Sequence, residues 1–327
     1  MTTRPHAEPP DRAHAQATGP RDQLQDRHRD HPRATPIQQP LLFVGGGNMA
    51  VAILRGGLAA GVIDASRVFV IEPDTAKHAS LNELSVRVSA SASDGVAWIN
   101  SVDESAGHPG LRGAENHAQV VLCVKPQMLP QVAADIRAAF NSPRVVISIL
   151  AGTPSSIVRR SLGEHARVVR AMPNLAASIS QGVTAICLGD GASDPDDAVA
   201  HAIFYAVGPE VMRLDESKFD AFTAMAGSGP AYLFYLAQGM IEGGVRAGLS
   251  HEESNNATRQ ALLGAAMLLS RSDQVPEVLR AAVTSKDGTT AAAVGVLDQR
   301  QTLRAIADAI VAGAARGGEL ARLAAGS

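Results

Sequence analysis

The chain has 327 residues, 46% of them hydrophobic but only 3% aromatic, with a formal net charge of -3. That length predicts about two domains with ample material for packed cores. So few rings and so little positive charge exclude a nucleic-acid strand as partner. No apolar run reaches the roughly 18–20 residues that span a bilayer, so no membrane partner is expected. The longest run, residues 261–269, reads as part of a buried helix. The two cysteines, Cys123 and Cys187, make no disulfide framework and fit a reduced, cytoplasmic setting.

Residues 1–40 are rich in Pro, Arg, Asp, His and Gln, with almost no aliphatic side chain before Ile37. Such a segment buries too little apolar surface to offset its ordering entropy, and a disordered extension is expected. It lacks the apolar stretch of a secretory signal, and Glu8, Asp11, Asp22, Asp26 and Asp30 argue against a mitochondrial transit peptide. Its four histidines read as solvated, and no metal site is expected.

Residues 41–44 form a short apolar strand that stops at Gly45, Gly46 and Gly47, after which Ile53, Leu54 and Leu58 follow helical spacing up to Gly61. Strand, glycine turn and helix give the pattern Gly-x-Gly-x-x-Ala its meaning as a dinucleotide site. Gly45 permits the tight turn, Gly47 lets the backbone approach a pyrophosphate, and Ala50 lets helix and strand pack closely. A second strand, 67–71, ends at Glu72. As a ligand, Glu72 accepts from the adenosine ribose and favours NAD over NADP. As a turn acid before Pro73 it is merely solvated, and Lys77 is left to meet a phosphate. Three further apolar strands, 120–124, 145–149 and 167–170, suit a parallel sheet buried on both faces. Each runs into a turn, at 125–127, 151–153 and 172–174, where doubly wound sheets bind ligands. Between Trp98 and His117 lies a polar stretch that reads as a surface insertion without a motif.

From about Asp215 the pattern is helix after helix. Pro230 suits a first helical turn, and that helix is expected to stop at Gly248. Residues 250–253 then read as a capping box. The next helix, with Ala257, Ala261, Leu262, Ala265 and 267–269, is apolar on nearly every side. So broad a surface points to a helical dimer interface, the plainer alternative being a core within one chain. Two small-residue segments, 226–232 (AGSGPAY) and 284–290 (TSKDGTT), are expected to be loops running into helices. A loop of Gly, Ser and Thr at a helix start leaves backbone N–H groups pointing outward, a cradle for a small carboxylate. One cradle for a pyrophosphate and one for a small acid together suggest a reductase of a carboxylic acid.

The segments 45–50 (GGGNMA), 124–127 (VKPQ), 170–174 (RAMPN), 226–232 and 284–290 occur in the order found in pyrroline-5-carboxylate reductases, which the chain resembles from residue 41 onward. The resemblance implies an α/β Rossmann-type doubly wound sheet over 41–214 followed by an all-α helical dimerisation domain over 215–327. It implies reduction of 1-pyrroline-5-carboxylate to L-proline, the last step of proline biosynthesis, with NADPH or NADH. It further implies homodimers that often assemble into larger rings. Val44, Gly45, Gly46, Gly47, Asn48 and Met49 would then contact the pyrophosphate. Cys123, Val124, Lys125, Pro126, Ala151 and Gly152 would line the path to the nicotinamide. Ser285 and the backbone around Gly288 and Thr289 would hold the carboxylate, and the Thr290 hydroxyl would bond the ring nitrogen. A structural alternative makes Thr289 or Thr290 a helix cap. The chain departs from the family at Leu175 and Ala176, where Thr-Pro is common, and at Lys286 and Asp287, where Pro-Gly is common. Ala281 and Ala282 likewise replace an Asp and an amide-bearing residue. The rival readings are a reductase of another cyclic imine or of a 2-oxo or hydroxy acid, and a catalytically silent dinucleotide-binding protein.

Overall fold

A computed structural model describes residues 35–105 and 117–326. Most of the expected N-terminal extension and residues 106–116 of the expected insertion therefore lie outside the described residues. Ile37 is buried, and its N–H donates to Val62 O (2.9 Å), so the expected boundary at residue 41 falls a few residues late: the chain is already packed on the fold at 37.

Among the described residues eight strands form one sheet: β1 (Leu41–Val44), β2 (Val68–Ile71), β3 (Arg87–Ser89), β4 (Gln119–Leu122), β5 (Arg144–Ser148), β6 (Ala166–Pro173), β7 (Val183–Leu188) and β8 (Glu210–Arg213). Their order is β3-β2-β1-β4-β5-β6-β7-β8, parallel throughout except for the antiparallel β6–β7 pair. Every residue of β1, β2, β4 and β5 is buried, as their unbroken apolar runs require. Successive residues feed opposite cores. Leu41 and Phe43 pack with Ile53, Leu54, Ile203 and Phe204 on one face. Leu42 and Val44 pack with Ile99, Ile136, Ile157 and Leu162 on the other.

Helices α1 (Asn48–Ala59), α2 (His78–Asn82), α3 (Ala92–Ser105), α4 (Leu129–Ile136), α5 (Ser155–Leu162) and α6 (Ala198–Tyr205) cover the two faces. Three strands were not expected from the sequence: β3, β7 and β8. β3 has three residues and β8 four, none of them fully buried, so they carry little apolar signal. β6 also runs on to Pro173 rather than turning after Arg170, because its last residues pair with β7, Pro173 opposite Thr184. Part of the expected insertion is likewise helix: α3 continues to Ser105 and buries Ile99. Beside it, Arg144 lies fully buried, with Nε donating to Ala139 O (2.6 Å), Nη1 to Ala118 O (2.7 Å) and Nη2 2.8 Å from Asp103 Oδ2. Burial draws the Arg144 pKa down and Asp103 opposes that shift.

The chain then turns helical: α7 (Phe219–Phe222), a π-helical turn at Thr223–Gly227, α8 (Gly229–Arg246), α9 (His251–Ser270), α10 (Pro276–Ala282), α11 (Thr289–Gln299) and α12 (Thr302–Gly326). Pro230 falls in the first turn of α8, and Gly248 follows its end at φ +108°. The capping box forms as expected: Glu253 N–H donates to Ser250 Oγ (3.2 Å) and Ser250 N–H to Glu253 Oε2 (2.7 Å). These contacts hold the Glu253 pKa below its usual value. α12 returns to the junction, where Gly313 faces Ala224 and Gly317 faces Asp220.

The apolar run 261–269 is not buried within the chain. Leu263, Met267, Leu268 and Leu269 are exposed, as are Phe234, Tyr235 and Leu236 on α8. Among the described residues no helix is long and apolar enough to cross a membrane.

Candidate active site

The strand order reverses between β1 and β4, and the glycine turn sits at that switch point. Gly45 N–H donates to Ile71 O (2.8 Å) and Cys123 N–H to Val44 O (2.8 Å), which draws the ends of β1, β2 and β4 together. Gly45 has φ +98°, and a Cβ there would sit 2.7 Å from Cys123 O, so only glycine fits. A Cβ on Gly46 would press on Leu81 at 2.7 Å. Gly47 is the N-cap of α1, with no side chain capping it and nothing within 4 Å of a notional Cβ. The first N–H groups of α1 therefore open onto free space beside the strand ends, which is where an anion is stabilised.

Seven of the expected cofactor residues, Val44, Gly45, Gly47, Glu72, Cys123, Val124 and Lys125, line one cavity of about 450 Å³. Gly46, Asn48, Met49 and Pro126 border the same turns without lining it. The cavity also takes in Asp74, Lys77, Ala90 and Met128, none of them singled out by the sequence for its own motif except Lys77. Glu72 is buried rather than solvated. Its Oε2 accepts from Gly46 N–H (2.8 Å) and its Oε1 from Asp74 N–H (2.9 Å), with Lys77 Nζ 3.3 Å away. Desolvation pushes the Cys123 thiol far above its usual range, so it lines the cavity as a neutral group.

Ala151 and Gly152 follow β5. Gly152 is buried at φ +63° beneath Leu320 of α12, 3.2 Å from where its Cβ would be. Directly after them lies a cluster that the sequence did not disclose. Glu216, at the start of the helical half, accepts from Ser155 N–H (2.7 Å), Ser155 Oγ (2.6 Å) and Arg170 Nη1 (3.1 Å). Arg170 is buried and lies 4.8 Å over the Phe219 ring. Burial, with Glu216 nearby, pushes the Cys187 thiol up to about 11. A carboxylate 46 residues from its arginine leaves no local pattern to read.

The two expected anion loops fare differently. Residues 226–232 are not a loop with free N–H groups. The π turn runs into α8, Ser228 N–H donates to Thr223 O (2.9 Å), and Tyr232 Oη donates to Ala224 O (2.8 Å). Residues 284–288 do form a loop, which runs into α11 at Thr289. Thr284 N–H donates to Ala281 O (3.0 Å) and Gly288 N–H to Ser285 O (3.1 Å), closing a turn in which Asp287 takes φ +57°. Gly288 is itself the N-cap of α11, and no side chain caps that helix, so neither Thr289 nor Thr290 plays the capping part. The first N–H to find a carbonyl across that cap is Ala292, on Gly288 O (3.1 Å). Those of Thr289, Thr290 and Ala291 precede it at the open end. Ser285 Oγ lies over Gly288, 2.3 Å from where a Cβ would be, so an alanine there would displace the hydroxyl. Ser285, Gly288, Thr289 and Thr290 do not line the 450 Å³ cavity. A second, apolar cavity of about 560 Å³ lies between Asn174, Leu175 and Ala176 on one side and Pro230, Leu233 and Phe234 on the other.

A doubly wound sheet with an uncapped glycine turn at its switch point, followed by a helical half with its own uncapped helix start, defines a dinucleotide-binding protein with an appended helical domain. Comparison with known proteins narrows this. The family model for pyrroline-5-carboxylate reductase dimerisation matches residues 216–320. A pyrroline-5-carboxylate reductase of Arabidopsis thaliana is 33% identical over 86% of this chain and 95% of its own length. A pyrroline-5-carboxylate reductase structure from Coxiella burnetii has a TM-score of 0.73 at 29% identity, covering 86% of this chain and 98% of that one. A Plasmodium falciparum pyrroline carboxylate reductase structure with NADP bound shares the fold, with a TM-score of 0.73 at 23% identity over 88% of this chain and 100% of its own. The chain belongs to the pyrroline-5-carboxylate reductase family.

Proposed function

We propose that this protein reduces 1-pyrroline-5-carboxylate to L-proline, the closing step of proline biosynthesis, in the cytoplasm. The observation that carries this reading is the kinship over nearly the full length of a reductase of that name, joined to two uncapped helix starts of the kind that substrate and cofactor each need. NADH or NADPH, when bound, would supply the hydride for the imine carbon of the N-protonated ring.

A cyclic imine is already electrophilic once protonated, so the site needs orientation and an anion cradle more than a strong base. The chain supplies these on the 284–290 segment. Gly288 N–H is spent on Ser285 O, which leaves the Thr289 and Thr290 N–H groups and the Ser285 hydroxyl to hold the substrate carboxylate. The half-buried Thr290 hydroxyl, one residue into α11, bonds the ring nitrogen and fixes which carbon faces the hydride. Val44 to Met49 would hold the pyrophosphate, and Cys123, Val124, Lys125, Pro126, Ala151 and Gly152 would form the wall towards the nicotinamide. The division into a dinucleotide domain over 41–214 and a helical domain over 215–327 follows the end of β8 at Arg213. The exposed faces of α8 and α9 pair two chains, and rings of dimers are the larger assembly that the resemblance implies.

The experiment is oxidation of NADH and NADPH by the purified protein, with and without pyrroline-5-carboxylate, with proline measured as product. Substrate-dependent oxidation that yields proline is expected. Tight dinucleotide binding without turnover would sink the reading.

A further inference from the structure

At the end of β2 the geometry of Glu72 distinguishes a ribose reader from an idle turn acid. We infer that this chain selects NADH over NADPH, that pinned Glu72 is the discriminating residue, and that Lys77 is its counter-ion rather than a reader of the 2′-phosphate. The inference rests on the dinucleotide reading of the 450 Å³ cavity.

Three observations carry it. First, Glu72 lines that cavity together with Gly45 and Gly47, at the strand end where the adenosine ribose of a dinucleotide falls. Second, it cannot swing aside to admit a phosphate. Its side chain is only 7% exposed, and its two oxygens are held by Gly46 N–H (2.8 Å) and Asp74 N–H (2.9 Å). Rotating it out would orphan the N–H of buried Gly46 inside the glycine turn, a loss that the turn cannot make good with water. Third, the local charge is negative. Lys77 Nζ lies 3.3 Å from Glu72 Oε1 and 3.6 Å from Asp74 Oδ2, so one cation stands against two carboxylates. His78 Nε2 lies 2.6 Å from the Glu72 backbone carbonyl, so its ring N–H is spent on that acceptor. Ribose hydroxyls can donate to the remaining lone pairs of Glu72, whereas a dianionic 2′-phosphate meets like charge at contact distance.

The test is titration of the full chain with NADH and with NADPH, without substrate, following nicotinamide fluorescence at fixed salt. NADH is expected to bind more tightly by on the order of tenfold or more. Glu72→Ser should bring the two dissociation constants together or reverse their order. Lys77→Gln should leave the ratio of the two dissociation constants within about twofold, because a half-exposed counter-ion held by two carboxylates makes no phosphate contact of its own. Equal or tighter NADPH binding by the natural chain would overturn the inference, as would a Lys77→Gln chain that loses NADPH affinity selectively while its NADH affinity stays as it was. If Glu72→Ser does not fold, the natural chain and Lys77→Gln still decide. Failure to bind either dinucleotide would overturn the reading of the cavity itself, and the selectivity with it.

Discussion

In the sheet, β1, β2, β4 and β5 bury every residue they contain, whereas α8, α10 and α11 bury none and α9 buries only Ser254 and Thr258. Both regions are rich in aliphatic side chains. An apolar residue on β1 finds its neighbours a few ångströms away in the same chain, on helices that the crossovers bring back over the sheet. The apolar residues Leu263, Met267, Leu268 and Leu269 on α9 are instead exposed to solvent. Exposed apolar surface on this scale marks an interaction face, in keeping with the dimerisation family model that matches residues 216–320.

The sharpest way to break that contrast is Leu268→Glu. Leu268 is 69% exposed in the single chain, where a charge would be nearly neutral. If the face is covered by a partner, the buried charge should cost more than about 3 kcal/mol per chain and shift the protein to monomer by sedimentation velocity. An unchanged oligomer would mean that α9 faces solvent in the assembly too. Next comes the open end of α11. Thr290→Ala should lower kcat by on the order of ten- to a hundredfold while dinucleotide binding stays intact, and near-normal turnover would remove Thr290 from the chemistry.

The seam between the two regions gives a middling effect. Glu216→Gln strips the charge from the acceptor of Ser155 and Arg170, and Arg170 is only 5% exposed. A loss of about 2 kcal/mol is expected in chemical denaturation, with both halves unfolding less cooperatively. A midpoint that does not move would show that the carboxylate is not what joins them. The smallest effect is a gain. Asp287 holds φ +57°, a conformation that costs a non-glycine residue roughly 1 kcal/mol, and Asp287→Gly should raise the Tm slightly. A fall in Tm would mean that the aspartate side chain contributes more than the strain removes.

That same turn shows what a departure from family pattern means physically. Where relatives commonly place Pro-Gly, this chain places Lys286-Asp287, yet the Ser285 O to Gly288 N–H turn still closes at 3.1 Å. Aspartate is among the few side chains that tolerate the left-handed region, so the loop geometry survives the substitution. The AGSGPAY segment teaches the opposite lesson. Its glycines and proline read as a loop, but the π turn carries the chain helically from α7 into α8 and uses the N–H groups that looked free. Small residues there serve close packing, with α12 pressed against the same junction. β7 and β8 were illegible for a related reason: β7 is defined by its antiparallel pairing with β6, which no local window contains.

The sequence by itself determined the parts whose signal is local. The first helical turn at Pro230, the capping box at Ser250 and the stop at Gly248 all depend on residues within a few positions of each other. Backbone sterics and short-range hydrogen bonds fix such features before any distant segment arrives. Only the tertiary structure decided the rest. It pinned Glu72 across 26 residues onto Gly46 and set Glu216 on Arg170 across 46. It also placed Arg144 among Asp103, Ala118 and Ala139. A buried charge is settled by whichever groups the fold brings to it, and that choice is made through space rather than along the chain.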